Sequence, residues 1–317
     1  MGGKKTAVLH IPVEGNDIKE IDLPVALIIG DEPGPEAVIT AGMIPGEFSG
    51  VLAAIKLLHE ISPTDIKGSL KILTVCDMAD FKLGTTIPTY ASNSDLNHSF
   101  PGQLRGGYYS LLAAKIFDEI KGADYHIDLH GSEAYERSVP FAAYHRGRRG
   151  ELNDRSHEMA YYFGAPNIMI TETEGRWSDK GCCYSSVYEG IGIPSVLFHI
   201  GGLNMAFSEA VRIHMEGVKN VLKRFGTLRG TPQPVGRPQI FENMEIVRAA
   251  KRGIYYRRIR AGDMVKRGQL IGLITDCFGT VIEKLVSPVN GKVLYMTESS
   301  SIPGNGFVAA VGVSFVK

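Results

Sequence analysis

Residues 123–131 read ADYHIDLHG, an apolar, β-like run that closes on Asp128, Leu129, His130 and Gly131. That order places a histidine at the C-terminal lip of a buried strand, the edge where open α/β sheets bind their ligands. Working outward, apolar and β-branched runs at 25–29, 37–41, 70–76, 125–129, 167–171 and 195–200 alternate with helical patterns at 48–61, 109–120, 156–163 and 208–225. Such alternation predicts an α/β fold, with a mostly parallel or mixed sheet flanked by helices. In the last helix, Val211, Met215, Val218, Val221 and Leu222 share one side and predict a stripe that faces the core.

Beyond residue 225 the texture changes. The stretch GTLRGTPQPVGRP carries three prolines and three glycines in 13 residues and reads as a linker. Short β-like runs follow, punctuated by glycines from Gly253 to Gly306, which predicts a small barrel or sandwich. The expected division is therefore an α/β domain over residues 1–230 that holds the active-site pocket, and a C-terminal β domain over residues 231–317. Within the latter, Arg260 to Gln269 and Ser287 to Leu294 look like the two halves of a biotinyl/lipoyl-type fold. The turn Asn290-Gly291-Lys292 lacks the methionine context of a modified lysine, so Lys292 reads as an ordinary hairpin residue.

The chain has 317 residues, of which 44% are hydrophobic and 21% charged, enough for one large core and a smaller second one. Its 34 basic and 34 acidic side chains cancel. They leave no footprint for nucleic acid or an anionic membrane, and the short cluster Arg146, Arg148 and Arg149 reads as a solvated loop. No window is long and apolar enough to span a bilayer, and the first residues lack a signal-peptide pattern, so a cytoplasmic location is expected. Of the four cysteines, Cys76 reads as a small core hydrophobe. The adjacent Cys182 and Cys183 are the pair to suspect of reactivity.

Three further segments stand beside the 123–131 run: Gly42-Met43-Ile44-Pro45-Gly46-Glu47, Asp95-Leu96-Asn97-His98-Ser99-Phe100-Pro101-Gly102, and Gly192-Ile193-Pro194-Ser195 through Phe198-His199-Ile200-Gly201-Gly202. Together the four resemble the succinylglutamate desuccinylase/aspartoacylase family of zinc-carboxypeptidase-like hydrolases, over nearly the full chain. The resemblance implies a zinc ion held by a histidine, a glutamate three residues later and a second histidine at the Asp-Leu-His strand end. It also implies a C-terminal β domain, a catalytic glutamate at the last strand end, and an asparagine–arginine pair that grips a substrate carboxylate.

Several of those positions are altered. Glu47 and His130 match two of the implied metal ligands, but Ile44 occupies the first histidine position and offers no lone pair. His199 stands where the catalytic glutamate is implied, and His98 where the arginine follows Asn97; a further implied arginine near residues 82–87 is replaced by no more than Lys82. An imidazole at 199 could supply the missing ligand, making a metal set of Glu47, His130 and His199, with His98 as an optional fourth. His199 and Glu174 are then the catalytic candidates, Asn97 and His98 the substrate-binding ones. Each histidine could equally be a neutral packing group. Asp128 shares the strand parity of His130 and could orient it, and Glu133 and Arg137 fall within reach of a ligand. Glu172, Glu174 and Arg176 lie on a loop after a strand and otherwise read as solvated surface, while Tyr184 and Tyr188 receive no role.

These readings converge on a metal-dependent hydrolase of the desuccinylase/aspartoacylase type. It would cleave an amide or ester bond of a small acylated amino-acid-like substrate, with one divalent metal, zinc by preference and iron or another transition metal as the alternative. Two other readings stay open: the same scaffold with a rebuilt histidine-rich centre and different chemistry, or a non-catalytic small-molecule-binding protein. The expected partner is a small molecule, with no nucleic acid or membrane, and exposed strand edges leave room for a homo-oligomer.

Overall fold

A computed structural model of the chain describes residues 2–13, 20–86, 95–172, 179–203 and 205–314. Among the described residues, seventeen strands run in chain order: β1 Gly3–Pro12, β2 Glu20–Ile29, β3 Glu36–Ala41, β4 Ser69–Leu73, β5 Tyr125–His130, β6 Glu136–Ser138, β7 Phe141–His145, β8 Asn167–Thr171, β9 Ser195–His199, β10 Gln239–Ala249, β11 Gly253–Arg257, β12 Met264–Val265, β13 Leu270–Thr275, β14 Val281–Val286, β15 Gly291–Thr297, β16 Ser301–Ile302 and β17 Gly306–Ser314. The helices are α1 Phe48–Glu60, α2 Met78–Leu83, α3 Tyr108–Ile120, α4 Gly150–Phe163, α5 Cys183–Ser186 and α6 Ser208–Arg224.

Twelve strands line up as β1-β2-β4-β3-β5-β9-β7-β8-β10-β17-β15-β12, and β6 pairs with β15 off this path to make a 13-stranded sheet. β3, β4, β5 and β9 are mutually parallel where they pair, whereas β7 runs antiparallel to β9. The fold is thus the expected mixed α/β sheet with helices. A separate four-stranded antiparallel sheet, β14-β13-β11-β16, belongs to the C-terminal part.

Alternation along β5 sorts its residues. Tyr125, Ile127 and Leu129 join the core beneath α1, α4 and α6, so His126, Asp128 and His130 face the other way. Burying each of those three apolar side chains contributes about 1.5–3 kcal/mol, which holds the strand in place while its polar face stays committed to the site. On that second face Val38, Leu73, Leu112, Ile116 and Cys183 form a core with α3. Cys76 is fully buried, as expected of a small hydrophobe.

α1 approaches β5 so closely that a Cβ at Gly50 would stand 2.6 Å from the Leu129 carbonyl oxygen, so only glycine fits there. That contact brings Glu47, at the N-terminal end of α1, against the end of β5. Ser49 Oγ donates to Ile200 O at 2.6 Å and His214 Nε2 donates to His130 O at 3.0 Å, which ties α1 to the end of β9 and α6 to the end of β5.

The proline-rich stretch 231–238 forms neither helix nor strand. Yet it does not separate two sheets: β10, which follows it, pairs in parallel with β8 of the main sheet, and β17 and β15 continue the ladder. Lys292 lies in β15, not at the tip of a hairpin, and its Nζ reaches Asn167 Oδ1 at 2.8 Å. Among the described residues, no helix is long and apolar enough to cross a membrane.

Candidate functional site

The C-terminal ends of β5 and β9 and the start of α1 open into a cavity of about 430 Å³. Its lining includes Glu47, Asn97, His98, His130 and His199, five of the residues singled out from the sequence. The sixth, Glu174, lies outside the described residues, as does Arg176. Ile246, Arg248, Tyr295 and Phe307 add a wall from the C-terminal strands, which the sequence did not announce.

On the floor, His130 sits between two carboxylates. Its Nδ1 is 2.8 Å from Glu47 Oε2 and its Nε2 is 3.1 Å from Asp128 Oδ2. Burial opposes a charge on this ring, but Glu47 and Asp128 outweigh it and hold the imidazole protonated, well above its ordinary range. Burial also acts on Glu47, pushing its carboxyl up to about 7 against the pull of His130. Asp128 stays below its usual value despite burial, because His130 and the Thr40 hydroxyl favour its charged form. Thr40 Oγ donates to Asp128 Oδ1 at 2.7 Å and accepts from His126 Nε2 at 2.9 Å, while His126 Nδ1 accepts from Ser195 Oγ at 2.8 Å. Asp128 is therefore the orienting group that its parity with His130 implied.

His199 is placed differently from expectation. Its Nε2 is 2.9 Å from Ser132 Oγ, and its ring is stacked on Phe141, centroids 4.8 Å apart, and on Tyr295, 6.0 Å apart. Burial drives its pKa down to about 3, so the ring is neutral. Phe141 arrives there because β7 pairs with β9 in the register Phe141–His199.

The implied zinc can be tested against these donors. Glu47 Oε2 and His130 Nδ1 face each other, and Glu47 Oε2 makes no well-aligned hydrogen bond among the described residues, so two donors stand ready. Ile44, on the same lining, offers only carbon. Among the described residues only His10, Glu20 and Asp22, on the β1–β2 hairpin, bring three metal-capable atoms within 4.8 Å of one another; Glu47, His130 and His199 do not. A catalytic zinc takes three protein ligands, and the described residues gather two. The set does not fit a resident zinc. Pairing with His130 in the β5–β9 register does not bring the His199 imidazole into the set, because the aromatic stack and Ser132 hold it.

The rim carries Asn97 and His98. Asn97 Oδ1 accepts from Cys183 N–H at 3.2 Å, and His98 Nδ1 lies 3.0 Å from both carboxylate oxygens of Asp95. The Asp95 carboxylate, then the neighbouring Cys182 thiol, push His98 up to about 10. Neither Asp95 nor its contact with His98 was read from the sequence, although the spacing of three residues on a turn was the available signal. Glu133 lines the cavity, whereas Arg137 turns away to Glu298 at 3.2 Å. Glu136, missed from the sequence, also lines it; burial and the carboxylates of Glu133 and Glu47 hold it up at about 8. Glu172 pairs with Arg146 at 2.6 Å on the surface, and Lys82 pairs with Asp22. Tyr184 reaches the lining and donates to Thr171 Oγ at 3.0 Å, while Tyr188 donates to Asn153 Oδ1 at 2.6 Å.

A mixed sheet with a polar pocket at its strand ends, walled on one side by C-terminal strands, is the α/β architecture that the four sequence segments imply. The chain belongs to the succinylglutamate desuccinylase/aspartoacylase catalytic-domain family, whose model matches residues 33–224. It is 28% identical over 287 residues to an N-alpha-acetyl-L-2,4-diaminobutyric acid deacetylase of Halomonas elongata, a match covering 86% of this chain and 80% of that one. Among solved structures, it resembles a succinylglutamate desuccinylase/aspartoacylase from Rhodobacter sphaeroides with a TM-score of 0.86 and 24% identity, over 99% of this chain and 96% of the other. The product-bound ectoine utilization protein EutE (DoeB) from Ruegeria pomeroyi matches with a TM-score of 0.86 and 23% identity, over 98% and 95% of the two chains.

Proposed function

We propose that the chain is a deacylase-type hydrolase that cleaves the amide or ester bond of a small acylated amino-acid-like molecule. The observation that carries this reading is the cavity of about 430 Å³ at the ends of β5 and β9, lined by Glu47, Asn97, His98 and His130, in a chain of this family. A cavity of that size suits a ligand of a few hundred daltons or less. The Halomonas relative, named as a deacetylase of an acetylated diamino acid, supports the substrate class, and the product bound to the Ruegeria structure supports a small-molecule ligand.

A bound zinc would polarise the acyl carbonyl and activate water. Because the described residues gather only Glu47 and His130 for it, no step is derived through a metal. What this chain's own residues do is hold and screen. Phe141, Tyr295 and Phe307 keep water from one side of the cavity, Arg248 adds a cation to the same wall, and Asn97 is fixed by its bond to Cys183. A second reading, a non-catalytic binder of the same class of molecule, is favoured by Ile44 at a ligand position of the family pattern.

The test is to incubate the protein with N-acetyl-2,4-diaminobutyrate, N-acetylaspartate and N-succinylglutamate and to follow amine release by mass spectrometry, with elemental analysis of the same preparation. Amine release from any of the three supports the hydrolase. Calorimetric binding without release would replace it with the binder. Near-stoichiometric metal, lost in His199→Ala, would restore the ligand set of Glu47, His130 and His199.

A further inference from the structure

Residues 97–100 and 181–183 are fastened together along the rim. Phe100 N–H donates to Gly181 O at 3.0 Å, and Cys183 N–H donates to Asn97 Oδ1 at 3.2 Å. The two backbones run so close that a Cβ at Gly181, whose φ is +84°, would come 2.7 Å from the His98 carbonyl oxygen. Cys182 is thereby pinned beside His98, and both side chains line the cavity. On its other side the His98 ring is gripped by Asp95: Nδ1 lies 3.0 Å from each carboxylate oxygen, and Asp95 Oδ1 also accepts the His98 backbone N–H at 2.9 Å. A thiol, an imidazole and a carboxylate thus follow one another into the pocket. That order is the one by which a nucleophile is activated by a base that a third group orients.

We propose that Cys182, His98 and Asp95 form a thiol hydrolase centre: Cys182 is the nucleophile, His98 the proton carrier, and Asp95 a positioning residue that fixes the ring. The proposal rests on the reading of the pocket as a deacylase site and names the atoms that take the acyl group. Cys182 Sγ bonds to the acyl carbon while His98 holds the thiol proton. The carbon–nitrogen bond of the amide then breaks, and His98 passes that proton to the departing amine. Water attacks the thioester, His98 takes one of its protons, the sulfur–carbon bond breaks, and the sulfur recovers the proton as the acid leaves. One amide and one water become one acid and one amine, with no metal or redox partner. With its oxygen bound to Cys183 N–H, the Asn97 amide has Nδ2 as the donor for the acyl oxygen.

The local chemistry agrees. His98 and Cys182 line the same cavity, with the His98 ring held on its other side by Asp95. The other thiols differ. Cys76 and Cys183 are fully buried, and burial pushes both well above the ordinary thiol range, while Cys277 is exposed in the C-terminal part.

The test uses the full chain carrying Cys277→Ser, treated at pH 6 with iodoacetamide or p-nitrophenyl acetate and mapped by peptide mass spectrometry. Cys183→Ser in parallel separates the adjacent thiols. The expected result is one carboxamidomethyl or acetyl group on Cys182, with a labelling rate that falls ~10²-fold in His98→Ala and less in Asp95→Asn. Each variant is checked for its native circular dichroism. An unreactive Cys182, or one whose rate His98→Ala leaves unchanged in a folded protein, overturns the proposal. So does amide hydrolysis that survives Cys182→Ser, although the hydrolase reading would then stand. Labelled Cys182 without hydrolysis of any offered amide leaves the thiol centre in place and removes the substrate reading instead.

Discussion

On the floor of the pocket, the side chains of Glu47, Asp128 and His130 are 1%, 0% and 2% exposed and closed upon one another; on its rim, Asp95 and His98 keep 25% and 53% of theirs in solvent and reach a thiol. Both regions pair an imidazole with carboxylates, yet the surroundings give them different work. An imidazolium enclosed by two buried carboxylates is held in place by opposite charge on both sides. A half-exposed imidazole with one carboxylate and one sulfur can exchange protons with water and with a ligand. The floor thus joins strand ends, and the rim is where the proposed thiol centre sits.

Removing the floor imidazole should do the most damage. His130→Ala leaves Glu47 and Asp128 as unpaired buried acids and should cost about 3–5 kcal/mol of stability, read by urea unfolding. A loss under about 1 kcal/mol would mean the floor does not hold the strand ends. His98→Ala, on the rim, should shift the same curve by no more than about 0.5 kcal/mol while slowing Cys182 alkylation ~10²-fold. Equal losses of stability in the two variants would erase the distinction between floor and rim.

Ile44→His returns a donor to the position that the family pattern reserves for one, beside Glu47 and His130, and should raise the zinc retained through purification towards one per chain by elemental analysis. If zinc content does not move, the floor has become a closed ion cluster that no single donor reopens.

The smallest effect is one of pH. Burial holds His126 and His214 down at about 4 and His199 at about 3, so between pH 6.5 and 4 the unfolded chain binds protons there that the folded chain refuses. Stability therefore falls as pH falls through that window. His214→Gln should make the slope of unfolding free energy against pH shallower by up to one proton; an unchanged slope would mean His214 is protonated in the native state.

The regular elements were legible because their apolar periods are long. The 48–61 pattern became α1 and the 167–171 run became β8, while α4 began six residues before its predicted start because its first turns are charged and exposed. β7 went unread although it is fully buried, and with it went the partner that turns His199 aside: its Phe141 stacks on a histidine far along the chain, a contact set by antiparallel register. Glu47, Asn97, His98 and His130, picked out by local motifs, line the cavity. Cys182 was suspected from its neighbour Cys183, but its place beside His98 depends on one backbone bond, Phe100 N–H to Gly181 O, and one backbone-to-side-chain bond, Cys183 N–H to Asn97 Oδ1, between distant loops, which no local pattern encodes.

β10 joins the main sheet as a parallel neighbour of β8, and Tyr295 of β15 leans on His199. A proline-rich stretch would suggest a detachable module, yet the hydrogen bonds cross it. Heat or denaturant should therefore melt the two parts in a single transition. The C-terminal strands are no interchangeable cassette: they carry Ile246, Arg248, Tyr295 and Phe307, so any replacement would have to recut one wall of the pocket.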